Sequence, residues 1–131
     1  MSRVARQLKF FNKISSTTLE SQIILNAEKY SGLNLTFQCQ NHNGHMGARK
    51  FWREFMPTLQ FYNPQLHFQV TRVKNDDKKN ASVPCVLEIL DREGQSVGSL
   101  DMRNKQGAEI MQSLLAEVDH VKVAEEDIVK L

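Results

Sequence analysis

The sequence predicts an α/β domain built on a four-stranded sheet, and three observations carry that prediction. Apolar and polar residues alternate over Leu33 to Gln40 and again over Leu66 to Thr71, the period of half-buried strands. Between them, Gly47 to Pro64 reads GARKFWREFMPTLQFYNP, which combines a helix start, an amphipathic helix and a helix stop. Downstream, Val83 to Leu90 is nearly continuously apolar, and Asp91 to Gly94 is turn chemistry. A hairpin strand, Ser96 to Met102, and a last helix follow.

Each element has its own reason. Thr17 and Glu20 have capping-box spacing, and Leu19, Ile23, Ala27 and Tyr30 recur at helical intervals until Ser31-Gly32, so a short helix is expected there. On the helix that starts at Gly47, Ala48, Phe51, Trp52, Phe55, Met56 and Leu59 share a broad apolar face, with Arg49, Lys50 and Arg53 opposite. Pro57 lacks the amide that would bond the Arg53 carbonyl, so a kink or restart is expected, with the end near Phe61 or Tyr62 before Asn63-Pro64. The stretch between the first two strands is long enough for a crossover and parallel pairing, which with the hairpin makes the sheet mixed. Residues 73 to 82 show no periodicity and should form an exposed, mobile loop. Asn104 is placed to cap the last helix, whose core face is Ile110, Met111, Leu114, Leu115 and Val118. The organisation expected is a basic helical extension over 1–32, a domain over 33–118 and an acidic tail over 119–131, either frayed or a docking arm.

At 131 residues the chain is one domain's worth of core, and no apolar run approaches a membrane span, so no membrane insertion is expected. Net charge is only +2, but residues 1 to 75 carry ten Lys/Arg against three Asp/Glu, whereas 76 to 131 carry seven against twelve. That division suits a basic surface for a polyanion, though solvated surface charge explains it too. The first eighteen residues hold Arg3, Arg6, Lys9 and Lys13 with no acid, and Val4, Leu8 and Phe11 lie on one helical side. This is the composition of a mitochondrial targeting segment, and equally of a basic surface helix that stays on the protein.

Chemistry-bearing motifs are weak. Cys39 and Cys85 are far apart and form no CxxC, so no disulfide framework is expected; both fall in expected strands as small buried hydrophobes. Cys39, His42 and His45 are three potential metal ligands without a fourth nearby, and no metal or cofactor is expected. Gly44-His45-Met46-Gly47 has the letters of a GxxG clamp in the wrong setting, although a helix start at Gly47 offers free amides to an anion. No nucleophile–base arrangement or phosphate loop is readable, so neither catalysis nor a small-molecule substrate is expected.

Gly47-Ala48-Arg49-Lys50-Phe51 followed by Leu59-Gln60-Phe61-Tyr62-Asn63-Pro64, with a strand, hairpin and helix downstream, resembles the thioredoxin-like domain shared by several mitochondrial ribosomal proteins and a small accessory subunit of respiratory complex I. The resemblance covers about Leu33 to Val118 and is nearest to fungal-type proteins of the mitochondrial large ribosomal subunit. It implies a thioredoxin-like fold, a place in the mitochondrial matrix, and ribosomal RNA and neighbouring ribosomal proteins as partners. A structural role in respiratory complex I is the alternative it leaves open. It also puts Asn43 to Gly47 where redox relatives keep their CxxC, without either thiol, and Pro84 at a position that is cis in those relatives, so cis is expected. The residues expected to contact RNA phosphates are Arg49, Lys50, Arg53, Arg72, Lys74, Lys78 and Lys79, with Arg3, Arg6, Lys9 and Lys13 of the extension.

Overall fold

Leu33, Leu35 and Phe37 are fully buried while Asn34 and Thr36 between them are half-buried, so the period of two holds for the strand at the middle of the sheet. The computed structural model describes residues 2–12 and 22–128. In chain order these form α1 (Arg3–Asn12), β1 (Ile23–Leu25), β2 (Tyr30–Gln38), α2 (Met46–Glu54), α3 (Met56–Tyr62), β3 (His67–Val73), β4 (Val86–Asp91), β5 (Ser96–Asp101), α4 (Gly107–Glu117), β6 (His120–Lys122) and a 3-10 turn, Glu125–Asp127.

The main sheet has the order β3-β2-β4-β5. β2 runs parallel to β3, with Leu35 opposite Val70 and Phe37 opposite Arg72, and antiparallel to β4, with Leu35 opposite Leu87. β5 completes the hairpin with β4. This is the α/β class with a mixed sheet that the residue pattern predicts. The core joins the apolar sheet face to the helices: Leu33, Leu35, Phe37 and Leu87 meet Ala48, Phe51 and Leu59 with Ile110, Met111 and Leu114, all essentially without exposure. A side chain such as Phe51, fully buried, contributes about 2 to 3 kcal/mol through the area it removes from water.

The helix does break at Pro57. Phe55 (φ −110, ψ −37) ends α2 and opens α3, so the proline falls in a first turn, where a missing amide costs nothing. α3 stops at Tyr62, and Asn63 turns out of the helix.

Several expectations are corrected. Thr17, Leu19 and Glu20, the start of the expected first helix, lie outside the described residues; within them, Ile23–Leu25 is a strand, 27–29 a turn, and Tyr30 already belongs to β2. Isoleucines at 23 and 24 favour extended backbone, and tertiary pairing decides. β1 pairs antiparallel with β6, so His120–Lys122 is neither a frayed tail nor a free arm. The other edge of β1 is held by the fully buried Asn63 side chain: Oδ1 accepts the Leu25 amide (2.8 Å), and Nδ2 donates to the carbonyls of Ile23 (2.9 Å) and Leu59 (2.8 Å).

Asn104 does not cap α4. It sits at φ 59, donates its amide to Gly44 (2.9 Å), and leaves Gln106 at the cap position without a side-chain bond. The Val83–Pro84 bond is trans, the ordinary state of an X-Pro bond. Cys39 lies just beyond β2 and is only half-buried, whereas Cys85 is buried before β4.

Candidate nucleic-acid interface

The parallel strands β2 and β3 end side by side, and the loops that follow them are laced together. Asn75 is buried and accepts no slack: its amide donates to Gln40 Oε1 (2.8 Å), and its Nδ2 donates to Gln38 Oε1 (3.1 Å) and the Asn80 carbonyl (2.8 Å). Gln40 Nε2 donates to Asp76 (2.9 Å), and Asn43 Nδ2 donates to the Asn80 carbonyl (2.9 Å). Val73 still belongs to β3 and Asn75 is buried, so the exposed loop expected over residues 73 to 82 is reduced to 76–82 with Lys74, and hydrogen bonds tie it to the residues after β2. Polar side chains supply what periodicity does not show.

On this end of the sheet α2 presents its polar side. Ala48, Phe51 and Phe55 are buried, Arg49 is half-buried, and Lys50 and Arg53 are exposed. Arg49 Nη1 reaches Asn41 Oδ1 (3.3 Å). Trp52 is half-buried beside Phe37, with ring centres 6.0 Å apart and tilted by 56°. Arg72 arrives from β3, where the register sets it opposite Phe37, and its guanidinium carbon lies 5.0 Å from the Trp52 ring centre and 5.6 Å from that of Phe37. Its Nη2 donates to the Cys39 carbonyl (3.2 Å). Thus Arg72 covers Trp52, Arg49 and Arg72 both reach the 39–41 stretch after β2, and Arg53 is exposed one helical turn from Arg49, which puts the three arginines at one corner.

The other candidates are placed differently. Lys50 turns toward the start of α4 and lines a shallow cleft of about 220 Å³ with Met46, Gly47, Asn104, Lys105 and Gln106. Its basic neighbour there is Lys105, which nothing in the local sequence singles out. Lys74 pairs with Asp76 (3.6 Å), both ends well exposed, so water screens the pair and little is gained. Lys78 and Lys79 occupy an exposed turn behind Asp76 and Asp77, which offset part of their charge. Arg3, Arg6 and Lys9 are exposed on α1, which meets the domain through Phe11 against Phe61 (5.6 Å) where α3 runs out toward the start of β3. That anchor is at the far end of β3 from the Arg72 corner, and Lys13 lies outside the described residues.

The 42–47 loop is built for packing. His45 is buried, and its Nδ1 accepts the Gln38 amide (3.0 Å); burial first, then the Arg103 charge, holds its pKa below the ordinary 6.5. His42 Nε2 lies 3.1 Å from the Asn75 carbonyl. A Cβ on Gly47 would fall 1.6 Å from the Lys105 carbonyl oxygen, and Gly44 (φ +79) is pressed against Asn104, so both glycines allow the start of α2 to sit on the turn before α4. The Cys85 thiol is pushed up to about 11 by burial, the opposite of an activated nucleophile.

The model of the Mitochondrial ribosomal protein L51 / S25 / CI-B8 domain matches residues 48–106, from α2 to the turn before α4. Large ribosomal subunit protein mL61 of Saccharomyces cerevisiae is 57% identical over 131 residues, which is 100% of this chain and 95% of that protein. The mL61 proteins of Neurospora crassa (25% over 145 residues, 94% of this chain and 72% of that one) and Schizosaccharomyces pombe (32% over 92 residues, 67% and 63%) are also similar. With 57% identity to one of these proteins over its whole length and a match to the domain model over residues 48–106, the chain belongs to the mitochondrial ribosomal protein L51 / S25 / CI-B8 domain family.

Proposed function

We propose that this chain is a structural constituent of the large subunit of the mitochondrial ribosome, acting in the mitochondrial matrix without catalysis. The observation that carries the reading is 57% identity to a large-subunit protein over the whole chain. The Arg49, Arg53 and Arg72 corner supports contact with ribosomal RNA phosphates, because these cations carry no carboxylate partner among the described residues and stand on rigid elements. Lys50 with Lys105, and α1 with Arg3, Arg6 and Lys9, are further phosphate contacts on separate faces, and Lys74, Lys78 and Lys79 are weaker ones. Phosphate contacts position a protein on RNA without reading its bases, so affinity should fall steeply with salt. Neighbouring ribosomal proteins would take the remaining surface.

Sedimentation of the tagged chain in a mitochondrial lysate tests this. Migration with large-subunit RNA is the expected result; migration with respiratory complex I would replace the ribosomal reading with the alternative.

A further inference from the structure

We infer that the outer surface of the Arg72 guanidinium is a stacking seat for one unpaired RNA base, with Arg49 and Arg53 holding the phosphates that flank it. This rests on the RNA-binding reading of the same corner and specifies which form of RNA the corner takes. Trp52 is the aromatic residue nearest the basic side of α2, but it is half-buried, with Phe37 beside it and Arg72 over it. The group that the corner presents to solvent is therefore the guanidinium. Arg72 is exposed, yet it is located by two rings and by the Cys39 carbonyl at 3.2 Å. A long side chain held in this way has already lost much of the rotamer freedom that binding would otherwise remove.

A phosphate contact alone does not need such a seat. A planar, delocalised cation over two aromatic rings offers a second plane on which a base can stack. Bases inside a duplex already stack on each other and are out of reach, so the ligand is a loop, bulge or end rather than a helix. Arg53, one turn from Arg49 on the helix that carries Trp52, remains exposed for the backbone on either side of that base. The competing role, a lid that only shields the Trp52–Phe37 pair, requires charge and bulk but no planar outer surface.

The test compares the full chain with its Arg72→Lys variant on an oligoadenylate of about eight nucleotides and on an abasic strand of the same length and charge, by fluorescence anisotropy. The wild-type chain should prefer the strand with bases by about fivefold or more, the scale of one stacked base. Arg72→Lys should bring that preference close to unity while leaving affinity for the abasic strand nearly unchanged. A second variant, Arg72→Gln, keeps a planar end without charge; it should weaken binding to both strands and keep part of the preference. A wild-type chain that binds both strands equally, or an Arg72→Lys variant that keeps the full preference, overturns the stacking seat and leaves the phosphate contacts standing. A wild-type chain that binds neither strand overturns both readings. If Arg72→Lys does not fold, the wild-type preference and the Arg72→Gln result decide the matter.

Discussion

Replacing Asn63 by alanine should destabilise the fold far more than the size of the side chain suggests. Asn63 is fully buried and stands in for a neighbouring strand, accepting the Leu25 amide and donating to the carbonyls of Ile23 and Leu59. Asn63→Ala leaves those three backbone groups without partners in a dry site. A buried polar group stripped of its partner costs about 1 to 3 kcal/mol, so three at the low end remove about 3 kcal/mol. Domains of this kind hold about 5 to 15 kcal/mol in all, so the loss is a large fraction. Thermal melting by circular dichroism should show a fall of about 10 °C or more. Native-state hydrogen exchange adds a local readout: the Leu25 amide should lose protection first, together with the β1–β6 pairing, while β2 amides stay protected. An unchanged melting temperature, or unchanged protection of Leu25, would show that Asn63 does not hold β1.

Two further outcomes follow from the core and the 42–47 loop. Phe55→Ala removes a ring stacked on Phe51 (6.0 Å, 26°) and 8% exposed, which should cost about 3 to 5 kcal/mol in urea denaturation; an unchanged midpoint would mean that the inward face of α2 is misassigned. His45 has a folded pKa below its ordinary 6.5, so the unfolded chain takes up the proton first as pH falls. Stability should be full above that value and decline as pH drops from it toward the folded value. His45→Asn, whose side-chain oxygen can accept the Gln38 amide, should flatten this decline, and an equal acid sensitivity in both proteins would count against it.

Much of the fold was legible because single faces were apolar. Phe51, Phe55 and Leu59 announce the inner side of α2 and α3, and Leu33, Leu35 and Phe37 announce β2, each within one window of sequence. Pro57 and Asn63-Pro64 placed the break and the stop by covalent geometry alone. β1 was not legible: three residues carry little periodicity, and its partners are Asn63 on one edge and β6 on the other, both distant in sequence. Ile23, Ala27 and Tyr30 matched a helical period that the actual pairing overrides. In the candidate interface, the spacing of Arg49 and Arg53 could be read directly. The seat of Arg72 could not, because it depends on the parallel register that sets it opposite Phe37. Nor could the separation of Lys50 from Arg49, since the cleft shared with Lys105 arises only when α4 packs on α2.

Incorporation of an Arg49→Glu, Arg53→Glu double variant into the large subunit tests the central claim most directly. Tagged wild-type and variant chains would be followed through gradient sedimentation of mitochondrial extracts, with melting temperature measured on the purified proteins. Arg53 is exposed and Arg49 makes one long bond to Asn41, so the fold should survive with a change of about 1 kcal/mol or less. The folded variant should be depleted from large-subunit fractions, and its RNA affinity should depend less steeply on salt because fewer phosphates are neutralised. Full incorporation of the folded variant, with the salt dependence of RNA binding unchanged, would contradict a role for this corner in holding the chain on ribosomal RNA.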